Sequence, residues 1–152
     1  PPKVITPRFL LVHSFAHALV HSLTIESGYS GSSIRERLYI SDGDKPMAGV
    51  LIYTATPDAD GTLGGLCRQA EPDRFVELVR DGIKHLEWCS SDPLCIDGAM
   101  TQSEPLNHAA CHACMLVSET SCEEFNRLLD RATLVGTPAD RSLGYFSPVL
   151  DL

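Results

Sequence analysis

Five of the chain's six cysteines fall within residues 88–122, the stretch WCSSDPLCIDGAMTQSEPLNHAACHACMLVSETSC. A single cysteine is usually just a small core residue. Five together, in a loop-rich segment with few large apolar side chains, have to be explained as a set. The set could be a disulfide framework, a redox pair or a metal site. At 152 residues the chain can bury a core without covalent staples. No secretory leader is visible, and cytoplasmic proteins keep their thiols reduced. A thioredoxin-like redox pair wants its C-x2-C just after a strand in a βαβ unit. A c-type haem site wants histidine directly after the second cysteine, where this chain has Met115. A zinc site remains.

Cys111-His-Ala-Cys114 has the spacing that lets two thiolates meet one tetrahedral zinc, and a closed structural site needs two ligands more. Cys122 and Cys95 are the preferred remainder, with Cys89 able to replace one of the four. Cys89 and Cys95 frame the turn-rich SSDPL. Ser121 and Glu124 form a capping box, which predicts Cys122 at the start of a helix, where a thiolate is favoured. His108 and His112 are spare candidates.

The rest of the chain reads as a mixed α+β domain, a small sheet flanked by helices. A helix is predicted over residues 9–26, after Pro7 and before Gly28, with Val12, Phe15, Ala16, Leu19 and Leu23 as its apolar stripe. IRERLYI, residues 34–40, alternates like a strand, with Glu36 misplaced on its apolar side. GVLIYTAT, residues 49–56, is apolar enough for a strand covered on both faces. Pro72 opens a helix whose core positions are Phe75, Val76, Val79, Ile83 and Leu86. Residues 88–106 look irregular. Asn107 is expected to cap a short helix through Met115. The last helix would carry Phe125, Leu128, Leu129 and Ala132 inward until Gly136 and Pro138 stop it. The first residues, Pro1-Pro2 instead of Met, are read as a domain spanning residues 1–152 cut from a longer polypeptide, with its zinc-binding region at about residues 88–132.

The net charge of −8 argues against an autonomous, non-specific DNA binder, whose affinity comes mostly from phosphate neutralisation. A local patch from Arg35, Arg37, Arg68, Arg74 and Arg80 stays open. No apolar run comes near the roughly 18 residues of a membrane span. His13, His17 and His21 recur every four residues and form one helical stripe. Two histidines at that spacing can chelate a metal, but Ser14 stands where H-E-x-x-H metalloproteases carry glutamate. The plainer reading is a polar or half-buried face touching a neighbour. Glu36 is expected to form a buried or half-buried ion pair with an arginine. Gly61 to Gly65, in DGTLGGL, match no phosphate-binding motif and are read as a tight loop. The rival function is a metal-dependent nuclease or hydrolase using His13, His17 and Glu36, with a metal outside the cysteine cluster. A third reading is direct, salt-sensitive binding of single-stranded DNA.

Taken together, HSFAHALVHSLTIESGYSGSSIRERLY, GVLIYTATPDADGTLGGL, WCSSDPLC and ACHACMLVSETSCEEFNRLLDRATLVG resemble the MrfA zinc-binding domain, a module at the C-terminal end of certain DEAD/DEAH-type helicases. The likeness covers roughly residues 8–137 and is greatest to the version found in DISARM phage-defence systems. It implies one Zn2+ held by four cysteines, in a non-enzymatic accessory domain. It also implies a helicase subunit or helicase domain as partner, and DNA as the substrate they share. Helicase relatives compress the cysteines into one cluster. The resemblance aligns that cluster with Cys111, Cys114 and Cys122, and places the first ligand, Cys95 or Cys89, before the insertion IDGAMTQSEPLNHAA.

Overall fold

The computed structural model describes residues 4–55, 65–98 and 106–150. The glycine-rich loop ahead of Gly65 lies outside them. Helix α1, Pro7–Ser27, starts where the proline requires: the Thr6 hydroxyl accepts from the Phe9 amide at 3.3 Å. It ends on Gly28 in the left-handed conformation, φ 72°. The apolar stripe describes only one side of this helix. Phe9, His13, Ser14 and His17 are buried as well: the backbone of Met115, Leu128 and Asp130 packs against the last three, and both histidines also meet Glu36 of the sheet. α1 is thus a central core helix. Its length and composition alone would suffice to cross a bilayer, which the sequence reading missed, but half of that span is buried inside the fold.

Strands β1, Ile34–Ser41, and β2, Met47–Thr54, form an antiparallel hairpin in which Ile34 faces Thr54 and Ser41 faces Met47. Among the described residues this is the whole sheet. β2 is therefore covered on one face only. Val50 and Ile52 pack toward Leu19, Val20, Leu23, Ile34 and Leu78, while Leu51 and Tyr53 point outward, contrary to the expectation of a doubly covered strand.

Helix α2, Gly65–Gln69, leads into α3, Pro72–His85, which packs along α1. A Cβ at Gly82 would lie 2.4 Å from the Ser22 hydroxyl, so glycine there permits the close approach. α3 buries Leu78 and Ile83, followed by Leu86. Phe75 and Val76, expected inside, are exposed.

The two helices predicted between residues 107 and 132 do not form. Side chains with better partners elsewhere hold the chain in turns. The Asn107 side chain donates to Asn126 O at 2.7 Å and accepts from Leu129 N at 3.0 Å. The Asn126 side chain makes two hydrogen bonds to the Val117 backbone, at 2.7 and 2.9 Å. Phe125, Asn126 and Leu128 take positive φ, which no helix allows. Phe125, assigned to the core, is 62% exposed. Helix comes only later, as α4, Ala132–Val135, and α5, Ser147–Leu150.

Gly136 ends α4 at φ 76°, and a Cβ there would sit 2.5 Å from the Arg141 carbonyl oxygen. Gly136→Ala is expected to cost more than about 1 kcal/mol, because the left-handed backbone and the clash with main chain add together. Urea unfolding of the two proteins checks this, and an unchanged midpoint would refute it.

Candidate metal centre

Two turns bring four thiols together. The first spans residues 89–98, and its hub is the Asp92 carboxylate, which accepts from Cys89 N at 2.9 Å and Ile96 N at 3.2 Å. This holds Cys89 and Cys95 on the same side of the loop. The second is the Cys111–Cys114 turn, in which the amides of Cys114, Met115 and Leu116 converge on Cys111 O at 2.9–3.2 Å. The Sγ atoms of Cys89 and Cys111 are 3.5 Å apart, those of Cys95 and Cys114 3.6 Å, and those of Cys111 and Cys114 3.7 Å. All four lie within 4.8 Å of one another and all are buried. Sulfurs about 2.3 Å from one zinc stand about 3.8 Å apart in a tetrahedron. The three shortest spacings match that figure.

The electrostatics fit as well. Burial pushes the Cys95 thiol up to about 12, and it pushes Cys114 up further still. For Cys111 burial acts the same way, but the Ala113 amide and the neighbouring thiols hold it down at about 7. Only a cation of high charge would keep such a group of thiols deprotonated together. The Ser91 amide points at Cys89 Sγ, 3.4 Å away, a bond that favours a thiolate. Arg131 supplies a buried positive charge beside the cluster. Its side chain is 1% exposed, it donates to Leu86 O at 2.7 Å and it pairs with Asp92. All six cysteines are free thiols, so the cluster is not a disulfide framework, and Cys67 stands apart on the surface.

The sequence reading put Cys122 in this group and held Cys89 as a substitute. The geometry groups Cys89 with the other three and leaves Cys122 out. Cys122 sits in extended backbone, φ −109° and ψ 129°, not at a helix start. It belongs to a second buried cluster, with His13 and His17 of α1 and Glu36 of β1. His13 Nε2 is 3.2 Å from both Cys122 Sγ and Glu36 Oε1, and His17 Nε2 is 3.7 Å from Glu36 Oε1. The carboxylate expected to meet an arginine thus meets two histidines instead. Burial works to raise the Glu36 carboxyl, but the two imidazoles outweigh it and hold it at about 2. His21 stays outside both clusters, with a pKa lowered by burial and by His17. His108 and His112 are exposed and belong to neither. The i,i+4 histidines and the misplaced glutamate are visible in the sequence, whereas Cys122, the thiol that joins them, lies 86 positions beyond Glu36.

A closed shell of four buried thiols on a small α+β scaffold defines a structural zinc-binding module. The sequence profile described as the MrfA Zn-binding domain matches residues 15–115, a span holding all four thiols, and the chain belongs to this family. It is similar to the DISARM protein DrmB of Bacillus paralicheniformis, with 42% identity over 142 residues, 93% of this chain. The chain spans 25% of that relative's length.

Proposed function

We propose that this chain is a non-enzymatic accessory domain of a cytoplasmic DISARM-type defence protein. In this reading Cys89, Cys95, Cys111 and Cys114 are the zinc ligands, and the folded module helps seat its parent on a helicase partner and on DNA. The buried tetrad carries the reading, because a site with no ligand position facing solvent is built for structure. The likeness to a DISARM protein supports the setting. A hydrolase built on His13, His17 and Glu36 is disfavoured by access: those side chains are 0–1% exposed, and a phosphodiester could not reach them.

The test is assembly. The parent protein carrying Cys111→Ser is expected to lose copurification with its helicase subunit, and to lose the DNA affinity that the pair has together. An assembly unaffected by the substitution would overturn the proposed role.

A further inference from the structure

We propose that His13, His17, Glu36 and Cys122 form a second metal site, which takes one divalent transition-metal ion of borderline softness, zinc foremost. The proposal does not depend on the thiol tetrad. Four donor atoms of types N, N, O and S come from three parts of the chain and lie within 4.8 Å of one another, all buried. Tetrahedral zinc with nitrogen and oxygen ligands at about 2.0–2.2 Å and sulfur at about 2.3 Å needs donor separations of roughly 3.2–3.7 Å. The observed 3.2, 3.2 and 3.7 Å meet this.

The hydrogen bonds around the cluster point the same way. His13 Nδ1 is 3.1 Å from Leu128 O, and His17 Nδ1 is 2.8 Å from Met115 O. A carbonyl oxygen only accepts, so both Nδ1 atoms carry the proton. In a neutral ring this leaves each Nε2 as a bare lone pair, aimed at the centre of the cluster. Backbone-anchored imidazoles of this kind are the usual outer support of metal-bound histidine. Lone pairs facing a carboxylate and a sulfur repel unless something positive lies between them. Among the described residues, His17 Nε2 and Glu36 Oε2 have no hydrogen-bond partner although they are fully buried. Orphaned buried polar atoms are rare enough to require a cause. Cys122 Sγ accepts from two amides, Glu124 N and Asn126 N, at 3.3 Å each, although burial and the Glu36 charge together push its thiol up, so the sulfur is a thiolate only with a cation beside it. Two neutral imidazoles, one carboxylate and one thiolate balance one divalent cation, which removes the penalty of burying the anions.

The alternative is a metal-free network in which protons replace the ion, with one or both rings charged against Glu36. Ring-nitrogen NMR of the folded wild-type chain, purified with zinc present and then dialysed, separates the two. Metal-bound Nε2 shifts are expected for both His13 and His17. A protonated Nε2, or a bare one, at either ring overturns the proposal. Metal analysis gives an independent reading. Wild type is expected to carry two zinc per chain, and Cys122→Ser and His17→Gln one each. Cys111→Ser is expected to keep the ion of this second site. Wild type with one zinc, retained in Cys122→Ser, refutes the second site and leaves the tetrad standing. One zinc, lost in Cys122→Ser but kept in Cys111→Ser, refutes the tetrad instead.

Discussion

Cys111→Ser is expected to release the tetrad's zinc and loosen residues 86–114, while α1, the hairpin and the Cys122 segment held against β1 keep their packing. Structural zinc is worth about 10–16 kcal/mol in finger peptides. A whole domain is stable by only about 5–15 kcal/mol. In this chain the thiols are themselves core residues, packed with Ala18, Ile83, Leu86, Met115, Leu129, Leu134 and Val135. There is little regular structure to take over: between α3 and α4 the described residues are turns, bends and one short 3-10 segment, Glu119–Ser121. Hydrogen exchange is the measurement, and amides such as Ile96 N and Cys114 N should lose protection by orders of magnitude. Protection that survives would mean that packing alone holds the cluster.

The second large effect is expected at Arg131. Four thiolates around Zn2+ leave a net charge of about −2 in a buried site. The guanidinium is the buried cation placed to offset it, and it also ties the end of α3, through Leu86 O, to the Asp92 loop. Arg131→Met keeps much of the volume but strands the Asp92 carboxylate and leaves the cluster's charge uncompensated. Removing one partner of a buried pair typically costs about 3–5 kcal/mol. Urea unfolding of the zinc-loaded proteins should show a loss of that size. Arg131→Lys should recover only part of it, since an ammonium cannot reach both acceptors as the planar fork does. A loss under about 1 kcal/mol for Arg131→Met would show that the charge balance lies elsewhere.

Local signals located α1, β1 and α3, because each obeys a rule the chain can satisfy by itself: Thr6 and Pro7 open a helix, Gly28 closes one, Pro72 opens another. The metal-binding region was legible in cysteine spacing, but the choice among five thiols was not. Ser121 and Glu124 match a capping box, yet Ser121 donates instead to Gly31 O at 2.7 Å, a partner ninety positions away. Glu123 likewise turns to β1, accepting from Leu38 N at 2.7 Å and pairing with Arg37 at 2.6 Å. These long-range bonds override the local helix signal, draw residues 119–123 against β1, and carry Cys122 to α1. Glu36 was flagged by its misfit in the strand pattern, but its partners lie on a helix whose far side no periodicity marked as buried. Asp92, which decides that Cys89 belongs with the other three thiols, has no sequence signature beyond the turn it sits in.

The bonds that close the fold join its two ends. His13 reaches Leu128 across 115 positions, and Ser14 receives the Asp130 amide across 116. On a ribosome adding about 5–20 residues per second, α1 therefore waits on the order of 10 s for the partners that bury it. During that interval a helix long and apolar enough to enter a bilayer is exposed. The two inward-facing histidines are polar interruptions in that helix. They make it a poorer membrane segment than an uninterrupted apolar run would be.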